Sequence, residues 1–514
     1  MSKLKSTVKR LPKIRVWLWL VCIAIATAVF YKTGLDIRPV HTDEAVNAVI
    51  TSERLAGQAY HYDPNDRHGP SLSWLESKVF EFYSVNRLGD MNAAELRISS
   101  VLTAAASIVV LGLLPEALPG ALLTSALIFA LGAPFVFYGR YALHEPVLIF
   151  STLLLIASLS RLWTTGNLKW ALIAGLSTGL ALCTKEASLI TLITLGLSIF
   201  VCSKFKSSRA ELIETRSPLI NQSRVRFALT LILVVSVGLV LLAYSSFGKN
   251  PSGFYDFFRS IPLLLKRAAG SGHEKPWYTY VVWLLKPTEL SFPFFGWITL
   301  GFATLGAIRS FFTPHNTFLI RTLVVYGLFI FLIYSFTPYK TPWLMLEFLM
   351  PAVLVAGYGM ASVWNLSKGN LNPVLQRAIT LIVIFLLVRQ TDRLCFRYTS
   401  ESQNPFSYSS TSPDLERLPL RLNHVAATAT ANKPFIVAVV SKDYWPLPWT
   451  LRSFNHVGYF DQLPETLEVS AVISSLEYAP TVAKQLGKNW VQEFVGLRQD
   501  VLIVLFTPES SHSG

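Results

Sequence analysis

Apolar residues run along this chain in blocks of the length that crosses a bilayer. The first, Val16 to Tyr31, follows a basic start carrying Lys3, Lys5, Lys9, Arg10, Lys13 and Arg15. Others lie at about 93–113, 117–138, 142–162, 168–183, 187–203, 226–246, 290–310 and 319–336. One more runs from the joint Thr337-Pro338-Tyr339-Lys340-Thr341-Pro342-Trp343 to about 364, and the last covers about 376–395. Blocks of roughly 17 to 25 apolar residues mark helices in hydrocarbon, where the backbone must satisfy its own polar groups. The pattern predicts a polytopic α-helical membrane protein with about eleven spans. Phe30-Tyr31-Lys32 closes the first block where a signal peptide would have small residues, so that block is expected to stay as an uncleaved helix.

Two departures from this pattern divide the chain. The segment 33–92, directly after the first block, is too polar to span. Within it, Ala45 to Ala56 shows weak helical amphipathicity. Pro70 to Tyr83 shows more, with Leu72, Leu75, Val79 and Phe82 at helical spacing, so two short surface helices are expected. A third amphipathic helix is expected from Ser252 to Leu265. From Arg397 onward the apolar runs shorten to Pro434–Val440, Val469–Ile473 and Val501–Thr507, with helical patterns between them. That reads as a small α/β domain. The expected division is a transmembrane domain over 1–396, with 33–92 as its first external loop, and an extracytoplasmic α/β domain over 397–514.

Composition agrees with the pattern. Of 514 residues, 52% are apolar and 15% charged, whereas soluble domains carry about 25% charged residues. The net charge of +14 sits mostly in loops on one side, as insertion orientation requires, and not in a patch for nucleic acid. Lys204, Lys206, Arg209, Arg216, Arg224 and Arg226 fall in one such loop. The rule places the N-terminus in the cytoplasm and the C-terminal domain outside. Cys22, Cys183, Cys202 and Cys395 lie in or at the ends of apolar runs, and no disulfide framework or thiolate metal site is indicated.

Counting spans sorts the remaining polar motifs onto one face: Asp43-Glu44, Asp63 to His68, Arg140 with His144-Glu145, Lys185-Glu186, and Lys340. Thr42 is expected to cap a helix starting at Asp43, with both acids in its positive first turn. A lone Lys at a helix end usually snorkels. Lys185 instead interrupts an apolar stretch from Trp170 to Val201, which makes it a functional candidate. Carboxylates facing cations at a membrane surface suit transfer of a group from a lipid phosphate to a hydroxyl. Asp43, with Glu44 beside it, is the candidate base. Lys185, Arg97, Arg140 and Lys340 are candidate phosphate ligands. Asp63, His68, Glu145 and Trp445 are candidate substrate contacts. Trp445 belongs to the Pro-fixed string Asp443-Tyr444-Trp445-Pro446-Leu447-Pro448-Trp449, which could equally clasp the membrane domain. A greasy groove lined by aromatics such as Phe135, Phe137 and Tyr138 would take the lipid. The acids have a competing use as ligands of a divalent cation, with His41, His61, Asp63, His68 and His144 as candidates and Asp66 and Glu145 also within the set. The sequence requires no cofactor. It has no Walker A, dinucleotide or Asp-x-Asp nucleotide-sugar motif.

The strings His41-Thr42-Asp43-Glu44-Ala45, Tyr62-Asp63-Pro64, His68-Gly69-Pro70, Thr184-Lys185-Glu186 and Lys340-Thr341-Pro342-Trp343, with the Asp443–Trp449 string, resemble the GT-C glycosyltransferases. Protein O-mannosyltransferases and lipid A aminoarabinose transferases are the nearest enzymes in style, and the closer resemblance is to a group of predicted membrane mannosyltransferases that includes an archaeal flippase-activity-associated protein. The chain departs from that pattern at Thr42, where Pro is expected, and at Leu143-His144-Glu145, where a basic residue and an Asp-containing pair are expected. The resemblance implies a polyprenyl-phosphate sugar donor, a protein or glycan acceptor, transfer on the non-cytoplasmic face, and Asp43 at the catalytic acid position. The alternative is a non-catalytic, flippase-associated partner in moving lipid-linked saccharides.

Overall fold

The computed structural model describes residues 14–63, 67–270, 274–313, 317–366, 373–428 and 434–512. The N-terminal basic cluster up to Lys13 and Asp66 lie outside these residues. The helices are α1 (Ile14–Lys32), α2 (Thr42–Leu55), α3 (Ser71–Phe82), α4 (Ala93–Val110), α5 (Ala121–Leu131), α6 (Ala133–Gly139), α7 (Glu145–Thr165), α8 (Lys169–Leu182), α9 (Ser188–Ser203) and α10 (Lys206–Thr215). They continue as α11 (Gln222–Tyr244), α12 (Gly253–Ala269), α13 (Thr279–Leu285), α14 (Phe294–Phe312), α15 (Phe318–Phe336), α16 (Met345–Leu366) and α17 (Pro373–Asp392).

Every one of the eleven expected spans meets a helix, but not all are long enough to cross. Among the described residues eight helices have the length and apolarity to span a membrane, and ten do if each of two bent pairs is one span. The eleventh, α8, has 14 residues. The first bent pair, α5 with α6, turns by 60° at Gly132. Pro134 in the first turn of α6 offers no N–H to continue α5. A Cβ on Gly132 would fall 2.5 Å from the Phe295 ring, so this bend also seats α14. The second pair, α9 with α10, turns by 100°. The basic segment 204–226 therefore contains a helix where the charge pattern had suggested only a loop. Glu211 of α10 accepts from the free N–H groups of Thr317 and Phe318 at 2.9 and 3.0 Å, capping α15.

The span Pro342–Asn365, which contains α16, is 94% buried, whereas α1, α11 and the last span expose most of their apolar surface. α16 packs against α5, α14 and α15 and is the axis of the bundle. The protein is a multi-pass membrane protein whose apolar outer helices face lipid.

The C-terminal part adds α18 (Leu418–Thr428), β1 (Val437–Val440), α19 (Leu447–Thr450), β2 (Val457–Phe460), β3 (Ala471–Ser475), α20 (Ala479–Leu486), β4 (Trp490–Arg498) and β5 (Val501–Pro508). The sheet order is β2-β1-β3-β5-β4. β1 runs parallel to β2 and β3, with Val439 opposite Tyr459 and Ile473, while β5 runs antiparallel to β3 and β4. Strand alternation builds two cores: Val437, Val439, Ile473 and Leu505 face Leu418 and Leu422, and Val440, Val472, Val504 and Phe506 face Val482. The three expected strands are β1, β3 and β5; β2 and β4 were not anticipated.

Candidate active site

Helix α2 begins one residue earlier than expected. His41, not Thr42, is its cap: Nδ1 accepts from the Asp43 amide at 3.1 Å, and Glu44 reaches back to the His41 amide at 2.9 Å. Nε2 of His41 contacts the Tyr408 carbonyl at 3.0 Å. These contacts require the proton on Nε2. Asp43 lies in the positive first turn of α2, half-buried. Its carboxylate has no hydrogen-bond or ion-pair partner among the described residues.

Glu44 is the opposite case. It is completely buried and takes both Nε and Nη2 of Arg97 at 2.7 Å. It also accepts the Ala142 amide at 2.9 Å and has Arg38 at 3.6 Å. Burial would raise its carboxyl, but the Arg97 charge and hydrogen bonds, with Arg38 and the His41 amide, outweigh it and hold the group at about 2. The remaining Arg97 donors go to the carbonyls of Leu35, Arg38 and Pro39. Arg140 gives its terminal nitrogens to the carbonyls of Thr33, Gly34 and Cys395 and lies 3.9 Å from the Phe396 ring centre. Both arginines thus hold the polar loop onto the bundle and do not point at Asp43. That departs from the expectation that one of them would join Asp43 and Lys185 at a phosphate.

Lys185 is buried in the joint between α8 and α9, with Nζ 2.5 Å from Glu145 Oε1. Burial opposes its charge, but Glu145 and Tyr339 raise its pKa above the ordinary lysine value. Glu186, next in sequence, accepts from the Tyr62 hydroxyl at 2.8 Å and pairs with His68 Nδ1 at 2.9 Å. Its burial is outweighed by His68 and Tyr62, which hold it at about 2. His144 stacks edge-on against His68, and burial with the nearby charges of His68 and Lys185 pushes it well below 6.5. The loop reaches this joint because Gly69 has no side chain: a Cβ there would lie 2.1 Å from the Cys183 carbonyl. The Gly69 amide donates to Thr184 O, the Ser71 amide to Cys183 O, and the Ser71 and Thr184 hydroxyls meet at 2.9 Å.

Helix α2, through Glu44 and Asn47, and Lys185 approach one feature from two sides, the turn 140–145. Ala142 is bonded to Glu44 and to the Asn47 side chain, and Glu145 to Lys185. The segment 339–343 closes the gap: Tyr339 lies within electrostatic reach of Lys185, and the Trp343 ring centre is 5.9 Å from that of His41. Lys340 itself is buried and donates to the Thr337 carbonyl. His61 and Asp63 are exposed at the outer edge of the loop. Trp445 packs against the core formed by α2, Tyr60 and Tyr244, on the inner side of the sheet, and Trp449 is buried beside Ala45 and Ala142. Among the described residues no group of three or more His, Cys, Asp and Glu side chains could hold a metal ion. One residue of the site was not anticipated: Glu347, in the first turn of α16, buried near Lys185. An acid within an apolar run is the signal that could have found it.

An apolar cavity of about 440 Å³ opens beside the joint, walled by Pro70, Trp74, Leu102, Val147, Leu180 and Leu239, with Arg54, Ser71 and Cys183 also in its lining. The aromatics expected to line a groove, Phe135, Phe137 and Tyr138, are instead buried in the main core.

Residues 73–244 match the family described as Dolichyl-phosphate-mannose-protein mannosyltransferase. The backbone is similar to that of ArnT from Cupriavidus metallidurans bound to undecaprenyl phosphate, with TM-score 0.60 at 13% identity over 95% of this chain and 98% of that one. It is also similar to the archaeal oligosaccharyltransferase AglB from Archaeoglobus fulgidus, in complex with an inhibitory peptide and a dolichol-phosphate. There the TM-score is 0.57 at 11% identity, over 90% of this chain and 70% of that one. The chain has the GT-C fold. No curated protein sequence matches it at a significant level. In this GT-C chain the family match begins in α3 and ends at the close of α11, so it takes in Arg97, Arg140, Glu145 and Lys185 but not Asp43.

Proposed function

We propose that this chain is a membrane glycosyltransferase that moves a sugar from a polyprenyl-phosphate carrier to a hydroxyl of a protein or glycan acceptor. The observation that carries the reading is a half-buried Asp43 with no partner among the described residues, beside the Glu44 that binds the turn 140–145, and a buried Lys185 bound to the same turn, with an apolar cavity opening at the neighbouring Cys183. The family match and the fold support it, since the similar structures hold undecaprenyl phosphate and dolichol-phosphate.

The lipid tail lies in the cavity between α3, α4, α7, α8 and α11, which places its phosphate at the Thr184-Lys185 joint. Asp43 takes the proton of the acceptor hydroxyl. The acceptor oxygen bonds to the anomeric carbon as the bond from that carbon to the phosphate oxygen breaks. The electron pair leaves on the phosphate, where the Lys185 cation stabilises it. Glu145 keeps Lys185 charged and aimed, a positioning role. Trp445, beside α2, covers the acceptor side. Arg97, Arg140 and Lys340 hold the frame of this site. The reaction faces outside, with the N-terminus cytoplasmic and the sheet domain external, as the charge alternation implies.

The test is turnover of a radiolabelled polyprenyl-phosphate sugar by purified protein with protein and glycan acceptors. Acceptor-dependent release of polyprenyl phosphate supports the reading; its absence with every acceptor and donor sinks it. A reporter active only in the cytoplasm, fused after Gly514, should stay silent. Strong signal would reverse the orientation.

A further inference from the structure

Beneath the Lys185–Glu145 pair lies a second polar cluster, sunk between helix ends. Its centre is Glu347, 2% exposed. One carboxylate oxygen, Oε2, accepts from the Thr191 hydroxyl of α9. The other, Oε1, meets no donor in good hydrogen-bond geometry among the described residues, though the Tyr334 hydroxyl is near. Around it stand Tyr280 of α13 and Tyr326 and Tyr334 of α15, all buried. Among the described residues the Tyr280 hydroxyl has no partner, and those of Tyr326 and Tyr334 approach Thr191 and Glu347 without a well-formed hydrogen bond. Lys185 and Glu145 lie within electrostatic reach of Glu347.

A structural acid in the first turn of a helix needs one partner and the helix dipole, and Thr191 with α16 supplies both. That accounts for Oε2 alone. A buried carboxylate oxygen without a donor costs more than most helix contacts return. Three further buried hydroxyls without good partners, one on α13 and two on α15, multiply the cost. Such a cluster is consistent with a ligand rich in hydroxyl groups. Its place beside the cation proposed to hold the phosphate says which part of the donor that ligand is.

We propose that Glu347, with Tyr280 and Tyr326, forms the pocket that reads the sugar of the lipid-linked donor, and that this sugar is neutral or amino-substituted and not a uronic acid. The inference rests on the function proposed above. Sugar hydroxyls donate to Glu347 Oε1, and the tyrosine hydroxyls complete the ring of contacts. A sugar carboxylate would meet Glu347 and Glu145 together in a low-dielectric site, and like charges so placed repel strongly.

The test separates sugar from phosphate. Full-length protein in nanodiscs is titrated with polyprenyl phosphate alone and with a polyprenyl-phosphate hexose. Glu347→Gln should weaken binding of the sugar-loaded donor by roughly ten- to a hundredfold, the scale of a hydrogen bond to a charged group, and leave polyprenyl phosphate binding unchanged. Tyr326→Phe, which preserves shape, should act in the same direction and serves if the Glu347 variant does not fold. Lys185→Met should weaken both ligands. Equal loss of both ligands in the Glu347 and Tyr326 variants, or no loss of either, overturns the sugar pocket while leaving the proposed function standing. Failure of the unaltered protein to bind either lipid overturns the proposed function and this inference with it.

Discussion

Two buried charge clusters lie on either side of the turn 140–145, and they are built in opposite ways. Around Glu44 the central pair is fully engaged: Arg97 gives all three side-chain nitrogens to Glu44 and to loop carbonyls, while the Nε of the neighbouring Arg38 lacks an acceptor among the described residues. Around Lys185 the pairing is incomplete. Lys185 has Glu145, but Glu347 near it keeps an oxygen without a well-formed donor, and on α2 Asp43, one residue from Glu44, has no partner among the described residues. A fully satisfied network fixes structure, whereas loose polar groups persist where function keeps them. Adjacent acids in one helical turn thus differ: Glu44 holds the loop, and Asp43 is left free for the base role proposed above.

Breaking the saturated cluster should have the largest effect. Glu44→Gln or Arg97→Met leaves a buried charge unpaired at a cost of about 3–5 kcal/mol. Little folded protein should survive solubilisation, which size-exclusion profiles would read. A normal yield would mean that the cluster is not the fastening described. At the open cluster the outcome should reverse. Lys185→Met combined with Glu145→Gln, which leaves no buried charge unpaired, should give a folded protein but reduce transfer roughly 100- to 1,000-fold, the scale of removing one charge-stabilising group. Loss of folding matching that of Arg97→Met would erase the contrast.

Acid should act on the closed cluster and on Glu186. Glu44 and Glu186 are both held at about 2 against 4.5 for the free group. Their folded-state pKa values are depressed, so their contribution is complete above about pH 4.5 and is lost as pH falls through 2. Melting temperature should decline over that window, and Glu186→Gln should flatten the decline. The smallest effect is expected at Trp445. Trp445→Ala should cost about 1 kcal/mol of stability and raise KM for the acceptor without changing donor affinity. Equal loss for donor and acceptor would make Trp445 a clasp only.

Much of this contrast was hidden in the sequence. The helices were legible because apolar blocks of spanning length have few other uses. The strands β1, β3 and β5 were legible because they are short, apolar and central. β4 was not, since its outer position leaves Gln492, Glu493 and Phe494 exposed. Parity put Asp43, Arg97, Arg140 and Lys185 on one face, but it could not tell a cation bound to carbonyls from one near a substrate. Arg97 and Lys185 look alike in one dimension; only the fold delivers Leu35, Arg38 and Pro39 to Arg97. The cap was misassigned for a similar reason. Thr42 is the common capping residue, but the reciprocal contacts with Glu44 place the helix start at His41.

The most direct measurement of the central claim is turnover per folded molecule in Asp43→Asn, with a radiolabelled polyprenyl-phosphate sugar and a fixed acceptor. Asn keeps the size of Asp, and the helix start rests on His41 and Glu44, but Asn cannot accept the proton. Transfer should fall about 100- to 10,000-fold, with melting temperature and polyprenyl phosphate binding unchanged. Turnover within a few-fold of the unaltered protein would contradict the account and remove Asp43 as the base.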